Sequence, residues 1–508
     1  MHLLCGLLLF GLIRRTWLLV RPGDNAAENV ACACALVWLV HPLLTEAVNY
    51  VSQRTELLMS LCYLLTLYAS CRGWLITAVV ACALGMASKE TMATAPLLVV
   101  LYDRTFLYAS FKDAVRGRGK FYTSLAGTWV MLAALIWSGP RWQTAGFSTG
   151  ISAWTYLLNQ SVMVVEYLRR AVWPASLVLD YGEPLALTLS DAWPQAVLVV
   201  GLLIAAAVAL VKRPALGFLG AAFFVILAPT SSVIPIATEV GAERRMYLPL
   251  AALVVLSVVF GRALWIRGRR DVAVMGMAVS TAAVCAALAL VTVQRNTDYQ
   301  DELGLWRTTL ERWPHARAHR NYATLLKRAG YRDEVIDHLR QSLDGHPEGR
   351  YGLGFELYEQ GRIDEAIDEL RRFAREVPSD QSVVLARGMA GDALLSRGRY
   401  EEASVEYEEI TRAHPMLSPA WTNLGVALAQ AGHRDRARTA LQRAVDLDPR
   451  HPSARRNLAA LLMGDGAFAD GVRHLEEAVR LDPRDAGAQE LLAAAREQLA
   501  RLRNRPIP

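Results

Sequence analysis

The chain has 508 residues, 53% of them hydrophobic, and a formal net charge of +6 at pH 7. Residues 1–293 carry 22 Lys+Arg against 14 Asp+Glu, and residues 294–508 carry 32 against 34, so the excess is +8 in the first part and −2 in the second. That split argues against a nucleic-acid partner, because the polar part offers phosphates no net basic surface. The seven cysteines (Cys5, Cys32, Cys34, Cys62, Cys71, Cys82 and Cys285) all fall in or at the edge of apolar runs, with no zinc or redox spacing. No metal and no cofactor is expected, and the second part is expected to fold without disulfides.

Residues 1–293 read as a polytopic membrane domain of about ten helices. The apolar runs lie near 1–13, 26–40, 54–70, 74–87, 91–103, 121–138, 194–211, 215–233, 247–261 and 271–292. Several are shorter than the ~20 residues of a full crossing and must extend into their flanks. Arg14 and Arg15 follow the first apolar run instead of preceding it, so that run reads as a membrane helix and not as a signal peptide. With the first helix entering from outside, the cytoplasmic loops hold 15 Lys+Arg and the opposite side seven: Arg54, Lys89, Arg141, Arg169, Arg170, Arg244 and Arg245. The loop 139–193 and everything after the last span then lie on the outer side. Within that loop, 153–174 has a helical pattern with one apolar side, and it is expected to lie flat in the interface.

One stretch stands out, HPLLTEAVNYVSQRTELL (His41 to Leu58), which sets His41, Glu46 and Arg54 beside a membrane helix end. Charge this close to lipid costs a few kcal/mol unless a partner or a function holds it there. From chemistry alone, a substrate or ion site and an ordinary polar loop at the boundary stand level. The same outer side receives Lys89, Glu90, Glu243 and Arg244.

The second part is a repeat array. Prolines recur at 347, 378, 415, 449 and 483, and Ala366, Ala403, Ala437 and Gly471 precede the last four at one fixed offset. Gly330, Gly361, Gly398, Gly432 and Gly466 punctuate the helix pairs. In the clearest unit, Ser418 to Pro449, the residues Trp421, Leu424, Gly425, Leu428, Ala437, Leu441, Ala444 and Pro449 occupy tetratricopeptide-repeat positions. Gly425 and Ala437 should let two helices approach closely, with Trp421 and Leu424 filling the space between repeats. About five repeats are expected over 316–485, after a connector and partial repeat at 294–315, with a capping helix and tail at 486–508. Such a solenoid binds an extended or helical segment of a partner protein in its concave groove; the competing reading is a spacer. The acidic run 401–410 is expected to be a solvated face.

Four stretches together resemble the transmembrane and tetratricopeptide-repeat O-mannosyltransferase family and its bacterial relatives, which have the GT-C fold. They are His41 to Leu58, ALGMASKETMATAPLLVVLYDR (Ala83 to Arg104), WPASLVLDY (Trp173 to Tyr181) and PTSSVIPIATEVGAERRMYLPL (Pro229 to Leu250). The fold class is then all-α: a GT-C-like polytopic membrane domain followed by an α-solenoid of tetratricopeptide repeats. The resemblance implies transfer of a sugar, mannose in that family, from a polyprenyl-phosphate donor to a protein hydroxyl at the outer membrane face. A carboxylate deprotonates the acceptor, and cations hold the departing phosphate. On the matching positions, Lys89, Arg244 and Arg54 fall on the phosphate side, and Glu46, Glu90 and Glu243 orient them or meet sugar hydroxyls. The competing reading for each is a helix-end ion pair, and His41 reads first as a structural hydrogen-bonder. The family carries its acidic residue or acidic pair in a first outer loop, and Met1 corresponds to the family's second helix. The catalytic base therefore has no counterpart here, which is expected of an N-terminally shortened sequence or of a non-catalytic relative. The alternative function is a membrane-anchored repeat scaffold for envelope proteins; a transporter is disfavoured because the helices show no inverted repeat. An Ala- and Arg-rich composition points to a bacterial inner membrane with the repeats outside it, or to the endoplasmic reticulum in a eukaryote.

Overall fold

A computed structural model of the chain describes residues 1–50, 53–138, 151–232, 235–268, 273–343 and 346–503. Among the charges counted above, Arg141, Arg269, Arg270 and the Arg267 side chain lie outside the described set, as do Val51, Ser52, Val233 and Ile234 of the quoted stretches. Helices and short 3-10 turns account for the regular structure, with no strand among the described residues. The chain divides into two compact units, Met1–Ala318 and His319–Pro508.

The first unit contains α1 (His2–Val20), α2 (Ala27–Leu39), α3 (Thr45–Asn49), α4 (Arg54–Arg72), α5 (Leu75–Ser88), α6 (Ala95–Phe106) and α7 (Phe111–Ser138). It continues with α8 (Ala153–Val172), α9 (Leu189–Lys212), α10 (Pro214–Leu227), α11 (Pro249–Gly268), α12 (Ala273–Asp298) and α13 (Glu302–Arg312). Each of the ten apolar runs forms a helix. By length and composition, α1, α7, α9 and residues Val274–Asp298 of α12 can cross a membrane, and a fifth span arises if α2 and the segment Pro42–Asn49, bent by 57°, are one crossing. Helix α9 buries only Ala192, and Val197, Ile204 and Val211 stand exposed along it. An apolar helix with so little protein around it is a candidate membrane span by composition.

The buried side of α8 is mixed: Asn159, Gln160 and Arg170 are buried together with Tyr156, Met163, Val164 and Tyr167, whereas Trp154, Arg169 and Val172 are exposed. Asn159 Nδ2 donates to Leu185 O at 2.7 Å and Gln160 Nε2 to Val240 O at 2.8 Å. The helix thus ties the loop segments around 185 and 240 to the unit's interior. Helix α13 belongs to this unit as well. Arg312 Nη1 donates to Leu177 O (2.7 Å), Trp313 Nε1 donates to Tyr181 O (2.9 Å), and Arg317 grips Asp180 with two bonds of 2.6 Å. Burial raises the Asp180 carboxyl, but the Arg317 guanidinium outweighs this and holds it below the usual carboxylate range.

The second unit is built from helix pairs: α14 (Ala316–Ala329) with α15 (Arg332–Gln341), α16 (Arg350–Glu359) with α17 (Ile363–Glu376), and α18 (Val383–Ser396) with α19 (Tyr400–Ala413). Two more pairs follow, α20 (Ser418–Gln430) with α21 (Arg434–Leu447) and α22 (Pro452–Gly464) with α23 (Phe468–Leu481), and then α24 (Ala486–Arg503). The five glycines between paired helices all adopt positive φ, from 71° to 89°, the left-handed conformation that closes a helix and that side chains resist. The pairing is a knob in a hole, repeated. A Cβ added to Gly354, Gly391 or Gly425 would lie 2.7, 2.6 or 2.5 Å from the side chain of Leu370, Tyr407 or Leu441, each sixteen residues on. Only a glycine admits the partner helix at that distance.

One expectation is met in part in this unit and another is corrected. Trp421 packs against the core shared by neighbouring repeats but is only half-buried; it lines a surface pocket with Leu424, Leu428 and Arg436 and donates its Nε1 to Pro415 O at 2.9 Å. The acidic run 401–410 is not uniformly solvated, since Glu406 is buried and bridges Arg371 (2.8 Å) and Arg387 (2.9 Å).

Candidate functional site

The first unit holds a network of charge at the helix ends that the sequence places outside. Its centre is the segment Glu239–Arg245, between α10 and α11. Arg244 Nη1 donates to Glu46 Oε1 at 2.5 Å and its backbone N–H to Glu46 Oε2 at 2.8 Å. Arg244 Nη2 meets both oxygens of Glu239, at 2.7 and 2.6 Å. Glu46, at the start of α3, is buried, so its charge depends on this partner. Arg245 Nη1 donates to Thr230 O and Val240 O at 2.9 and 3.2 Å, and its Nη2 stands 3.4 Å from Glu239.

Glu243 points the other way. Its Oε1 accepts from Val178 N (2.7 Å), Arg170 Nη1 (3.2 Å) and Tyr181 Oη (3.4 Å). Arg170 also takes Glu166 at 2.7 Å. Glu243 Oε2 has no partner, and neither do Arg295 Nε and Nη2, all of them buried. Burial pushes the Glu243 carboxyl up to about 7, against the pull of Arg295 and with the help of Glu46.

A second pair lies beside this network. Lys89, after α5, is bonded to the buried Glu56 of α4. Lys89, Glu56, Thr91, Thr230 and Arg245 line one narrow cleft of about 10 Å³, the space of a single water. The residues singled out in the sequence are therefore placed as follows. Glu46, Glu243 and Arg244 share one network, and Lys89 reaches its edge through Arg245. Arg54 is exposed at the start of α4. Glu90 is half-buried in the 3-10 turn Glu90–Thr94. His41 is buried; its Nδ1 accepts from Leu43 N at 3.2 Å and its Nε2 donates to Ala171 O at 3.1 Å, so it locks the turn that precedes α3. Among the described residues no group of three or more His, Cys, Asp or Glu could hold a metal ion.

Sequence reasoning did not select Glu56, Arg170, Glu239 or Arg295 as site residues. Glu239 lies in a quoted stretch, six residues before Arg245. Arg295 had a signal of its own, a cation in the last turn of the most C-terminal apolar helix, where charge needs a reason.

The comparisons bear on the second unit. Tetratricopeptide repeats match at residues 351–415, 389–451 and 422–486. No curated protein matches the chain. Among solved structures, the chain is similar to MamA (residues 41 to the end) from Desulfovibrio magneticus RS-1, at 22% identity and a TM-score of 0.30 over 34% of this chain and 97% of that one. It is also similar to YrrB, described as a TPR protein with an unusual peptide-binding site, at 18% identity and a TM-score of 0.32 over 36% and 96%. Residues 351–486 are tetratricopeptide repeats, the kind of array that serves as a protein-interaction scaffold.

Proposed function

We propose that the chain is a GT-C-type membrane glycosyltransferase that moves a sugar, mannose by resemblance, from a polyprenyl-phosphate donor to hydroxyls of proteins gathered by the repeats. One observation carries this reading. The four stretches on which the resemblance rests, far apart in sequence, contribute to one neighbourhood of charge: Glu46 and Glu56, Lys89, Val178 and Tyr181, and Glu239 to Arg245. In this reading Lys89 and Arg244, with Arg54 at the rim, receive the donor phosphate, and Glu46, Glu90 and Glu243 orient them or contact the sugar. Donor binding then displaces Glu46 or Glu239 from Arg244 and opens the cleft beside Lys89. No side chain is assigned as the base. The test is mannose transfer from polyprenyl-phosphate-mannose in lipid nanodiscs by the chain joined to a first helix and acidic outer loop of the family pattern. Lys89→Ala should lower the rate by about 10²–10³, with the melting temperature followed in parallel because Glu56 loses its partner.

The mutual neutralisation of these charges and the 10 Å³ cleft favour a second reading, a membrane-anchored scaffold without chemistry. No transfer even with the acidic outer loop supplied, together with retention of partner proteins by the repeats, would select it.

The charge asymmetry of the loops also sets an orientation, with the repeats on the outer, periplasmic or lumenal side. A reporter active only in the cytoplasm should work when inserted at Gly117 and stay silent when fused after Pro508. A strong signal at Pro508 places the repeats inside.

A further inference from the structure

The first unit contains a second feature, a trough of about 440 Å³ between α1, α4, α6, α10 and α11. From Leu9 to Arg21 it follows α1 for ~18 Å, at ~1.5 Å per residue. Its walls are apolar, with Leu12, Leu67, Phe106, Leu219 and Val255 among them. The end beside the C-terminus of α1 differs. Arg21 and Arg213 line it, both exposed, and neither lies within ion-pair distance of a carboxylate among the described residues. Asp24, the acid nearby in sequence, is already held by Arg262 at 3.1 Å and by Trp17 Nε1 at 3.1 Å. The Arg21 guanidinium lies over the Trp17 ring at 5.0 Å, which fixes its place at the mouth. Arg213 precedes the N-terminus of α10, whose dipole adds to the positive field. At the opposite end, Ile226 and Leu248 are shared with the Lys89 cleft, but there the cations are taken by Glu56 and Glu239. Among the described residues lining the trough, guanidinium groups without an ion pair thus sit at one end only, where Arg21 acts on Asp24 at longer range.

We propose that this trough binds one acyl chain of an anionic glycerophospholipid, with the headgroup phosphate on Arg21 and Arg213. A long apolar channel suits a hydrocarbon chain, and two unpaired guanidinium groups at its mouth select an anion over a zwitterion. The site rests on the reading of the first unit as membrane-embedded and not on sugar transfer. By the loop charges, its headgroup end is the cytoplasmic one, across the membrane from the charged network.

The test uses the purified full chain in detergent, with phosphatidylglycerol or phosphatidylcholine added as mixed micelles. Phosphatidylglycerol should raise the melting temperature by about 5 °C at saturation, and phosphatidylcholine should not. Arg21→Gln and Arg213→Gln should each raise the half-saturating concentration about tenfold while melting like wild type in detergent alone. Leu219→Trp, which fills the trough, should abolish the response. Equal stabilisation by phosphatidylcholine, or arginine variants that respond like wild type, overturns the site. So does a response lost in Lys89→Gln alone, which would put the phosphate at the other end and point to polyprenyl phosphate. A chain that leaves membranes without detergent overturns the membrane reading itself.

Discussion

Tyr407→Ala is expected to destabilise the repeat unit by about 3–5 kcal/mol, the usual cost of truncating a buried aromatic side chain. Tyr407 is 1% exposed, its ring fills the hole left by Gly391, and its hydroxyl donates to Asp392 at 2.5 Å. The cavity would open between α18 and α19, in the middle of the array. Because each repeat is stabilised mainly by its neighbours, the loss there should separate the unfolding of the two halves. Trp421→Ala, at a half-buried position, should cost about half as much, since less apolar area returns to water. Denaturant unfolding of residues 316–503 measures both. If Trp421→Ala proves the costlier of the two, the indole and not the phenol holds the array together, and the placement of α20 is wrong.

These two residues show what the period makes legible. The recurring prolines and glycines gave away the repeats because they act on the backbone: a left-handed glycine and a helix-ending proline do the same thing in every copy. Which aromatic becomes the knob depends on side-chain volume at two positions sixteen apart, and only helix packing pairs them. Tyr407 was hidden in an acidic run, EEASVEYEEI, that reads as a solvated face. Glu406 was hidden in the same run, and its burial depends on arginines from two neighbouring helices.

The first unit divides along the same line. Its ten apolar runs were legible as helices, because apolar length alone marks them. The burial of Asn159, Gln160 and Arg170 beside the apolar residues of α8 was not, because helical periodicity says which residues share a side and not what that side meets. Trp154 and Val172 are exposed, and Arg170 is buried against Glu243. The charged loop residues are legible singly in the sequence, while their pairing requires the fold. An ion pair at Arg244 is one of the two readings the sequence allows, and only the fold names Glu46 and Glu239 as its partners.

That pairing makes Arg244→Met the most disruptive single change expected in the first unit. Arg244 is one guanidinium shared by two carboxylates, with four contacts of 2.5 to 2.8 Å counting its backbone N–H. Without it Glu46, buried, and Glu239, partly buried, repel each other, with Arg245 and the more distant Arg317 left to face Glu239. Breaking a buried ion pair in this way costs about 3–5 kcal/mol, because the stranded charge keeps its full desolvation penalty. Adding Glu46→Gln to the variant should recover part of the loss, and a double-mutant cycle in detergent-solubilised protein measures the coupling. Arg244→Lys keeps the charge but loses the fork, so it should melt between wild type and Arg244→Met. The same three proteins separate the two roles of the residue. If Arg244 only holds Glu46 and Glu239, transfer per folded molecule should be unchanged in Arg244→Lys. If it also receives the donor phosphate, transfer per folded molecule should fall by about 10²–10³, well beyond what the melting temperature explains.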